Sequence, residues 1–320
     1  VQNVSQKEQP SGIYGGQAVI EGVMFAGRTV HVTAVRRKDN SIQYLEVPKK
    51  EIGWVQALKK IPFIRGIVGI VEASAKGAQH LNFSAESFAE GEQDPQEVKK
   101  EQKESMAGRV SMILGVAVVG VLSFVFGKFV FTLVPPIIEQ LLFANVFHNQ
   151  IGHNLIEGLI KIILLVAYIY FISLTPMIKR LFQYHGAEHK VISAYEAGMD
   201  LTVANVQKFS TLHYRCGSSF IVFTVLVGVI IYSFFTYDSF VERIVQRIVL
   251  LPVVIGVSYE VLRFTNSLRE VPVLRYLGYP GLWLQMLTTK QPDNSQVEVS
   301  IASFNRMREI DKEAQALIVK

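Results

Sequence analysis

The run LIEGLIKIILLVAYIYFISLTPM, residues 155–177, decides what kind of fold this chain has. It is apolar along its whole length rather than alternating. At 1.5 Å per residue, about 20 such helical residues cross the ~30 Å hydrocarbon layer of a bilayer. Only a helix or a closed barrel satisfies its own backbone hydrogen bonds in that layer. Lys161 lies near one end of the run. Three further runs read the same way: residues 110–134, ending at Pro135-Pro136; Phe220 to Phe235, extended by a turn at each end; and Ile244 to Leu262, which carries Arg247, Pro252 and Glu260. The expected fold is therefore mainly α: a polytopic helical integral membrane protein with four transmembrane helices within residues 110–262.

Composition agrees with this. The 320 residues are 50% hydrophobic and only 18% charged, against about 25% charged in ordinary soluble domains. The formal charge of +5 does not point to nucleic acid, because the Lys and Arg are scattered beside bilayer-length runs. Their distribution sets orientation instead. The segment 1–109 has fifteen, the loop 178–218 has five and the tail 263–320 has eight, whereas the loop 135–154 has none and the loop 236–243 has only Arg243. Both termini and the central loop are expected in the cytoplasm, with the lipid bilayer as one partner. A single cysteine, Cys216, excludes an internal disulfide framework and fits a reducing compartment. Val1 to Pro10 is polar and has no apolar core, so it is not expected to be a cleaved signal peptide.

Directly after the opening run come Tyr184-His185-Gly186-Ala187-Glu188-His189-Lys190 and, further on, His213-Tyr214-Arg215-Cys216. On a helix, His185 and His189 stand one turn apart on one face, with Glu188 at its flank. The order H-x-x-E-H is that of inverted zinc proteases, in which two imidazoles hold a metal and the carboxylate handles protons. His213 and Cys216 supply a second pair of N and S donors. Imidazole and thiolate together suit a divalent metal, zinc above all. A four-ligand set would be closed and structural, whereas three ligands and a water would be catalytic. The bland alternative is that these histidines cap helices and bond backbone near the membrane surface.

Other charged and nucleophilic residues have plain explanations beside functional ones. Glu188 is either a base or a partner for Lys190 or Arg215. Glu196 shares the stripe of His185 but stands about 10 Å along the axis from His189, outside one metal shell, which suggests a surface or substrate-contact role. Glu21 interrupts the apolar run Ala18 to Met24, so it should be paired, ligating or exposed by a bend at Gly22. Glu260 is an ionisable group in a span, with Arg263 as a plain ion-pair partner. Cys216 as a nucleophile lacks a recognisable oxyanion motif.

The cytoplasmic parts form a cap. Residues 1–82 are expected to hold a β-hairpin unit followed by an interfacial helix. Gln17 to Met24 reads as a strand, and Thr29 to Arg37 alternates before a turn at Asp39-Asn40-Ser41 and a return over Ile42 to Val47. His31 falls on the polar side of its strand and is expected to be solvated. Residues 53–80 read as a helix kinked or broken at Pro62. Residues 83–109 are a polar linker, mobile over 83–105 with transient helix. In the tail, 263–320, Leu274 to Met286 is an aromatic interfacial run, and 296–318 reads as strand then amphipathic helix.

These motifs, beginning with Gly15-Gly16-Gln17-Ala18-Val19-Ile20-Glu21-Gly22-Val23-Met24 and ending with Leu282-Trp283-Leu284-Gln285 and Thr288-Thr289, resemble the YqhQ family of bacterial membrane proteins across nearly the whole chain. That family usually has His-Pro-Arg-Cys-Gly-Thr where this chain has Tyr214 and Ser218, and neither change removes a potential ligand. The resemblance implies a domain of unknown function described as a predicted metal-dependent enzyme in the bacterial cytoplasmic membrane. Its potential site residues carry over to His185, Glu188, His189, His213 and Cys216, with Glu21 as a further candidate. The leading expectation is a metal-dependent enzyme, with a hydrolase as the reaction class, in which Glu188 and Glu21 are the candidate catalytic carboxylates and His185, His189, His213 and Cys216 hold the metal. The rival expectation is a non-enzymatic accessory subunit of a membrane assembly, in insertion or transport, in which the cluster staples the cap. A channel is disfavoured by the few buried charges, though a homo-oligomer would supply a polar path.

Overall fold

The computed structural model describes residues 14–50, 52–90, 127, 130–146, 149–268 and 270–318. Strands β1 (Gly15–Val19), β2 (Gly22–Ala26), β3 (Val30–Arg36) and β4 (Ile42–Pro48) pair in sequence order as an antiparallel meander. The expected hairpin is present as β3 and β4, but it is half of a larger sheet. The stretch 17–24, read as one strand, folds back at Ile20-Glu21, where Glu21 takes a φ of 53° and Val19 pairs with Gly22. Gly22 is required there, because a Cβ would stand 2.1 Å from the Ala34 carbonyl oxygen.

Both faces of the sheet are covered. On one, Val23, Phe25 and Val32 pack with Val297, Phe304 and Met307 of the C-terminal helix, Asn294–Ile318. The Ser303 hydroxyl of that helix lies 2.9 and 3.1 Å from the Val23 and Val32 carbonyl oxygens. On the other face lies the helix Ile64–Glu90, whose His80 Nδ1 meets Thr33 Oγ1 at 2.6 Å. His31, expected to be solvated, is therefore only 7% exposed. Strict alternation identified its face of β3 correctly. It did not reveal that a helix would cover that face.

The N-terminal and C-terminal helical segments follow with two corrections. The run 53–80 breaks as expected near Pro62, into α1 (Gly53–Leu58) and α2 (Ile64–Glu90), and Phe63 at the break has a φ of 66°. Helix α2 continues to Glu90, so the first residues of the expected mobile linker are ordered helix, while 91–109 lie outside the described residues. The tail expected to open as a strand at 296 is a single helix. Its start is fixed by a reciprocal cap in which Asp293 Oδ1 accepts the Gln296 N–H at 2.9 Å and Gln296 Oε1 accepts the Asp293 N–H at 3.0 Å. The alternating Val297, Val299 and Ile301 imitate a strand inside that helix.

Between these parts run α3 (Val130–Phe143), α4 (Gln150–Ser173), α5 (Pro176–Glu196), α6 (Val203–Val206), α7 (Ser219–Tyr232), α8 (Phe240–Val249), α9 (Leu251–Ser267) and α10 (Tyr279–Thr288); the C-terminal helix is α11. Among the described residues, one helix is long and apolar enough to cross a membrane, the 24-residue α4. The expected fourth span is the pair α8 and α9, bent by 51°, with Pro252 in the first turn of α9. The expected third, α7, has 14 residues, or about 21 Å of helix, short of a ~30 Å layer. The expected first lies outside the described residues up to 130, apart from Gly127. The described chain thus has one candidate span, or two, where four were expected. Glu260 on α9 binds Arg65 of α2 through both oxygens and accepts the Phe63 N–H at 3.1 Å. That clamp takes the place of the expected Arg263 pair.

Nor is the bundle poor in buried charge. Arg243 donates to Glu139 at 2.6 Å and to Glu157 at 2.7 Å, and Arg247 reaches Glu157 at 2.9 Å and Asn154 at 2.6 Å. All four charged side chains are buried, and the Arg247 guanidinium stacks 4.0 Å from the Tyr232 ring centre. Such a network tolerates removal of a pair better than removal of one partner. Arg243→Met is expected to lower stability by about 3–5 kcal/mol, read as the unfolding midpoint in detergent. Adding Glu139→Gln to that chain should restore part of the loss.

Candidate metal centre

Helix α5 begins at Pro176, whose missing N–H costs nothing in a first turn. Tyr184, Ala187, Val191 and Ala194 turn its one face into the core beneath the sheet. The other face carries His185 and His189, with ring centres 4.5 Å apart. The segment 213–218 returns beside them and enters α7. His185 Nε2 lies 3.2 Å from Cys216 Sγ. One donor atom each from His185, His189 and Cys216 lie within 4.8 Å of one another. The sequence grouped His185 and His189 with His213 and Cys216, and the structure brings three of these four donors together.

Backbone carbonyls orient both imidazoles. His185 Nδ1 donates to Thr288 O at 2.9 Å, and His189 Nδ1 donates to Thr211 O at 2.5 Å. With Nδ1 carrying the hydrogen, Nε2 of each neutral ring keeps its lone pair for the cluster, the arrangement that commonly supports metal-bound histidines. Burial pushes His189 below the usual imidazole range, which favours the neutral, ligating form. The sulfur lies 3.0 Å from the Ser218 hydroxyl and 3.4 Å from its amide nitrogen, which donates to it.

The cluster opens onto a cavity of ≈ 330 Å³ lined by β1, α5 and the 213–218 segment. Glu188 is the sole carboxylate among its described lining residues. Burial raises its carboxyl above the usual range, against a lowering contribution from the Gly16 N–H that donates to it. A Cβ at Gly16 would stand 2.6 Å from the Met24 carbonyl oxygen and 3.0 Å from the Glu188 carboxyl carbon, so the missing side chain at Gly16 makes room for Glu188. Neither expected cation pairs with Glu188. Lys190 is buried and donates to the carbonyls of Gln207 and Phe209 at 2.9 and 2.6 Å, while Arg215 pairs with Glu196.

His213 lines the same cavity, with its ring centre 5.7 Å from that of His189, but it stands outside the three-donor group. Its Nε2 is 3.6 Å from Glu196, so Glu196, set aside by its distance along α5, reaches the site through His213. Gln285 holds the same residue by its backbone, accepting from His213 N at 2.8 Å and donating to His213 O at 2.9 Å. Reasoning by residue type missed Gln285, Thr211 and Thr288, since two of the three act through their main chain. Glu21 lies elsewhere. It binds Arg180 through both oxygens, stands 3.2 Å from the Tyr184 hydroxyl, and is not among the residues lining the cavity.

The fold and the site thus define a mainly helical chain with one or two candidate membrane spans among the described residues, a β-meander cap, and two histidines and a cysteine gathered at a cavity beneath it. Residues 61–310 match the family described as "Protein of unknown function (DUF1385)", and the chain belongs to that family. It is similar to the protein of Bacillus subtilis (strain 168) described as "Uncharacterized protein YqhQ", with 52% identity over 298 residues, 93% of each chain. The family resemblance drawn from the motifs holds. No solved structure matches the chain.

Gly186 makes the closest approach in the site, since a Cβ there would stand 2.2 Å from the Lys290 carbonyl oxygen. Gly186→Ala should therefore push the 288–290 segment away from α5, with a loss of about 1–3 kcal/mol of stability. The expected signature is a lower unfolding midpoint together with a changed environment for the His185 ring in histidine-labelled NMR spectra.

Proposed function

We propose that this chain is a metal-dependent enzyme of the bacterial cytoplasmic membrane, with the chemistry of a hydrolase, in which His185, His189 and Cys216 hold a divalent zinc ion. The observation that carries this reading is the freeing of both Nε2 atoms toward one sulfur, beside a cavity lined by the Glu188 carboxylate. The donor set fits zinc, which takes nitrogen and sulfur ligands and, with three of them, leaves a fourth position for chemistry. When bound, the ion supplies Lewis-acid activation of water. Glu188 holds and returns the proton at its carboxylate. His213, braced by Glu196 and Gln285, presents its ring to the opposite part of the cavity. Glu188, His189, His213 and Cys216 are themselves buried, which strengthens the electrostatic contacts among them.

Lipid attachment is supported by the outer face of α4. Leu155, Leu159, Ile163 and Phe171 recur at steps of four or eight residues, each more than half exposed to the surroundings. A stripe of that size on a soluble surface would be an aggregation liability. The loop charges support an orientation with both termini in the cytoplasm.

A second reading, a non-enzymatic accessory subunit, is favoured by one observation. His185 and Cys216 already touch at 3.2 Å, so the cluster can close on itself and staple the 213–218 segment to α5.

Elemental analysis of the purified full-length chain should find about one zinc per molecule, falling sharply in His189→Ala and in Cys216→Ser. Cobalt substitution should give a sulfur-to-metal charge-transfer band that Cys216→Ser abolishes. Glu188→Gln should keep the metal and lose any ester, phosphoester or peptide hydrolysis found by substrate screening, at least a hundredfold for a general base. A metal-free wild type would end the metal reading. Zinc-loaded chains with and without Glu188 that behave alike would leave the staple.

A further inference from the structure

A second cavity, of ≈ 290 Å³, lies far from the His/Cys cluster in the chain, between the end of the sheet, α1 and α2. Its lining carries five basic side chains, Arg28, Lys49, Lys50, Lys59 and Lys76, against one carboxylate, Glu72. Glu72 is shared by two of them, accepting from Lys76 at 2.6 Å and pairing with Lys59. On the sheet side stands His31. It is 7% exposed, and neither of its ring nitrogens has a hydrogen-bond partner among the described residues. A buried imidazole with both nitrogens orphaned is costly, and native interiors rarely leave one so without a ligand to meet it.

We infer that this cavity is an oxyanion site for a phosphate group, with His31 donating a ring N–H at its floor and Lys49 and Lys76 closing over the charge. Phosphate fits because it offers several acceptor oxygens to donors that converge from three elements, and because its double charge answers a lining with one anion among five cations. The alternatives inside the protein are already committed. Asp311, which acts on Lys49 from behind the 27–29 turn, accepts from the Arg28 and Thr29 N–H groups and the Thr29 hydroxyl at 2.6, 2.8 and 2.7 Å. His80 beside His31 gives its Nδ1 to Thr33. Without an anion, burial and the charges of Lys49 and Lys76 hold His31 down at about 4. An oxyanion in the cavity would relieve both lysines and the imidazole together. The site stands apart from the metal reading and survives its failure.

Two sources share this chemistry, a free phosphate compound and the headgroup of an anionic lipid. The second is raised by the exposed apolar residues of the adjoining α1 and the break after it, Ile52, Trp54 and Phe63 at 53, 69 and 53% exposure.

Calorimetry of the full-length chain in detergent, titrated with inorganic phosphate against chloride at matched ionic strength, should show saturable binding. Lys49→Gln with Lys76→Gln should weaken it at least tenfold, and so should His31→Gln, with circular dichroism confirming the fold. Lys208→Gln, on a distant segment, should leave it unchanged. In lipid nanodiscs, phosphate binding that persists with phosphatidylcholine but disappears with phosphatidylglycerol identifies the headgroup source. Binding retained in both identifies a soluble phosphate compound. Absence of saturable binding, or equal binding by the double lysine variant, overturns the assignment.

Discussion

Everything in this molecule is arranged around the stretch of α5 from Tyr184 to Ala194, which is enclosed on nearly every side. Helix α5 gives Tyr184, Ala187, Val191 and Ala194 to the core under the sheet and gives His185, Glu188 and His189 to the cavity on its other flank. Even Lys190 is buried, with its ammonium satisfied by two carbonyl oxygens rather than by a carboxylate. A polar helix can be enclosed in this way only if each polar atom finds a partner that the rest of the chain delivers. The β1 strand, the 211–218 segment and the 285–290 segment deliver them. The site is therefore assembled from the partners that this burial demands.

Residue type and spacing made the centre of this arrangement legible. His185 and His189 at one helical turn point to a donor set with His213 and Cys216, and the structure gathers His185, His189 and Cys216 while His213 stands beside them. The ends of β3 and β4 and the break at Pro62 were equally plain, because turn residues and proline act locally. What stayed hidden depended on distant parts of the chain. His31 sits on the face that alternation marked as polar, and only the arrival of α2 makes that face an interior. Glu196 was too far along one axis to share a ligand shell, yet His213 comes back from the next segment to meet it. The strand expected at 296 is absent for a local reason: Asp293 and Gln296 form a reciprocal cap three residues apart, and that cap starts a helix through the β-branched alternation.

The apolar runs teach a different lesson. Hydropathy reports composition, and α7 is as apolar as the reading required. Length and straightness are set by other residues: α7 starts only after the Cys216 turn, and Pro252 separates α8 from α9. The four charged groups between α3, α4 and α8 were invisible for a related reason. Each is a single polar letter in an apolar or mixed run, and Arg243 was counted as a loop residue. Only pairing in space turns Glu139, Glu157, Arg243 and Arg247 into one neutral unit, which low-dielectric surroundings accept far more readily than its members singly.

The missing side chain at Gly186 has a reach beyond its own helix turn. It lets the backbone at Lys290 lie against α5, where Lys290 N donates to Phe182 O at 2.9 Å, and so brings the Thr288 carbonyl over His185. The tautomer of an imidazole is thereby chosen by a peptide group about a hundred positions downstream. A chain cut short before residue 288 would still contain both histidines and the thiol, but it would have lost the carbonyl that tells His185 which nitrogen to turn inward.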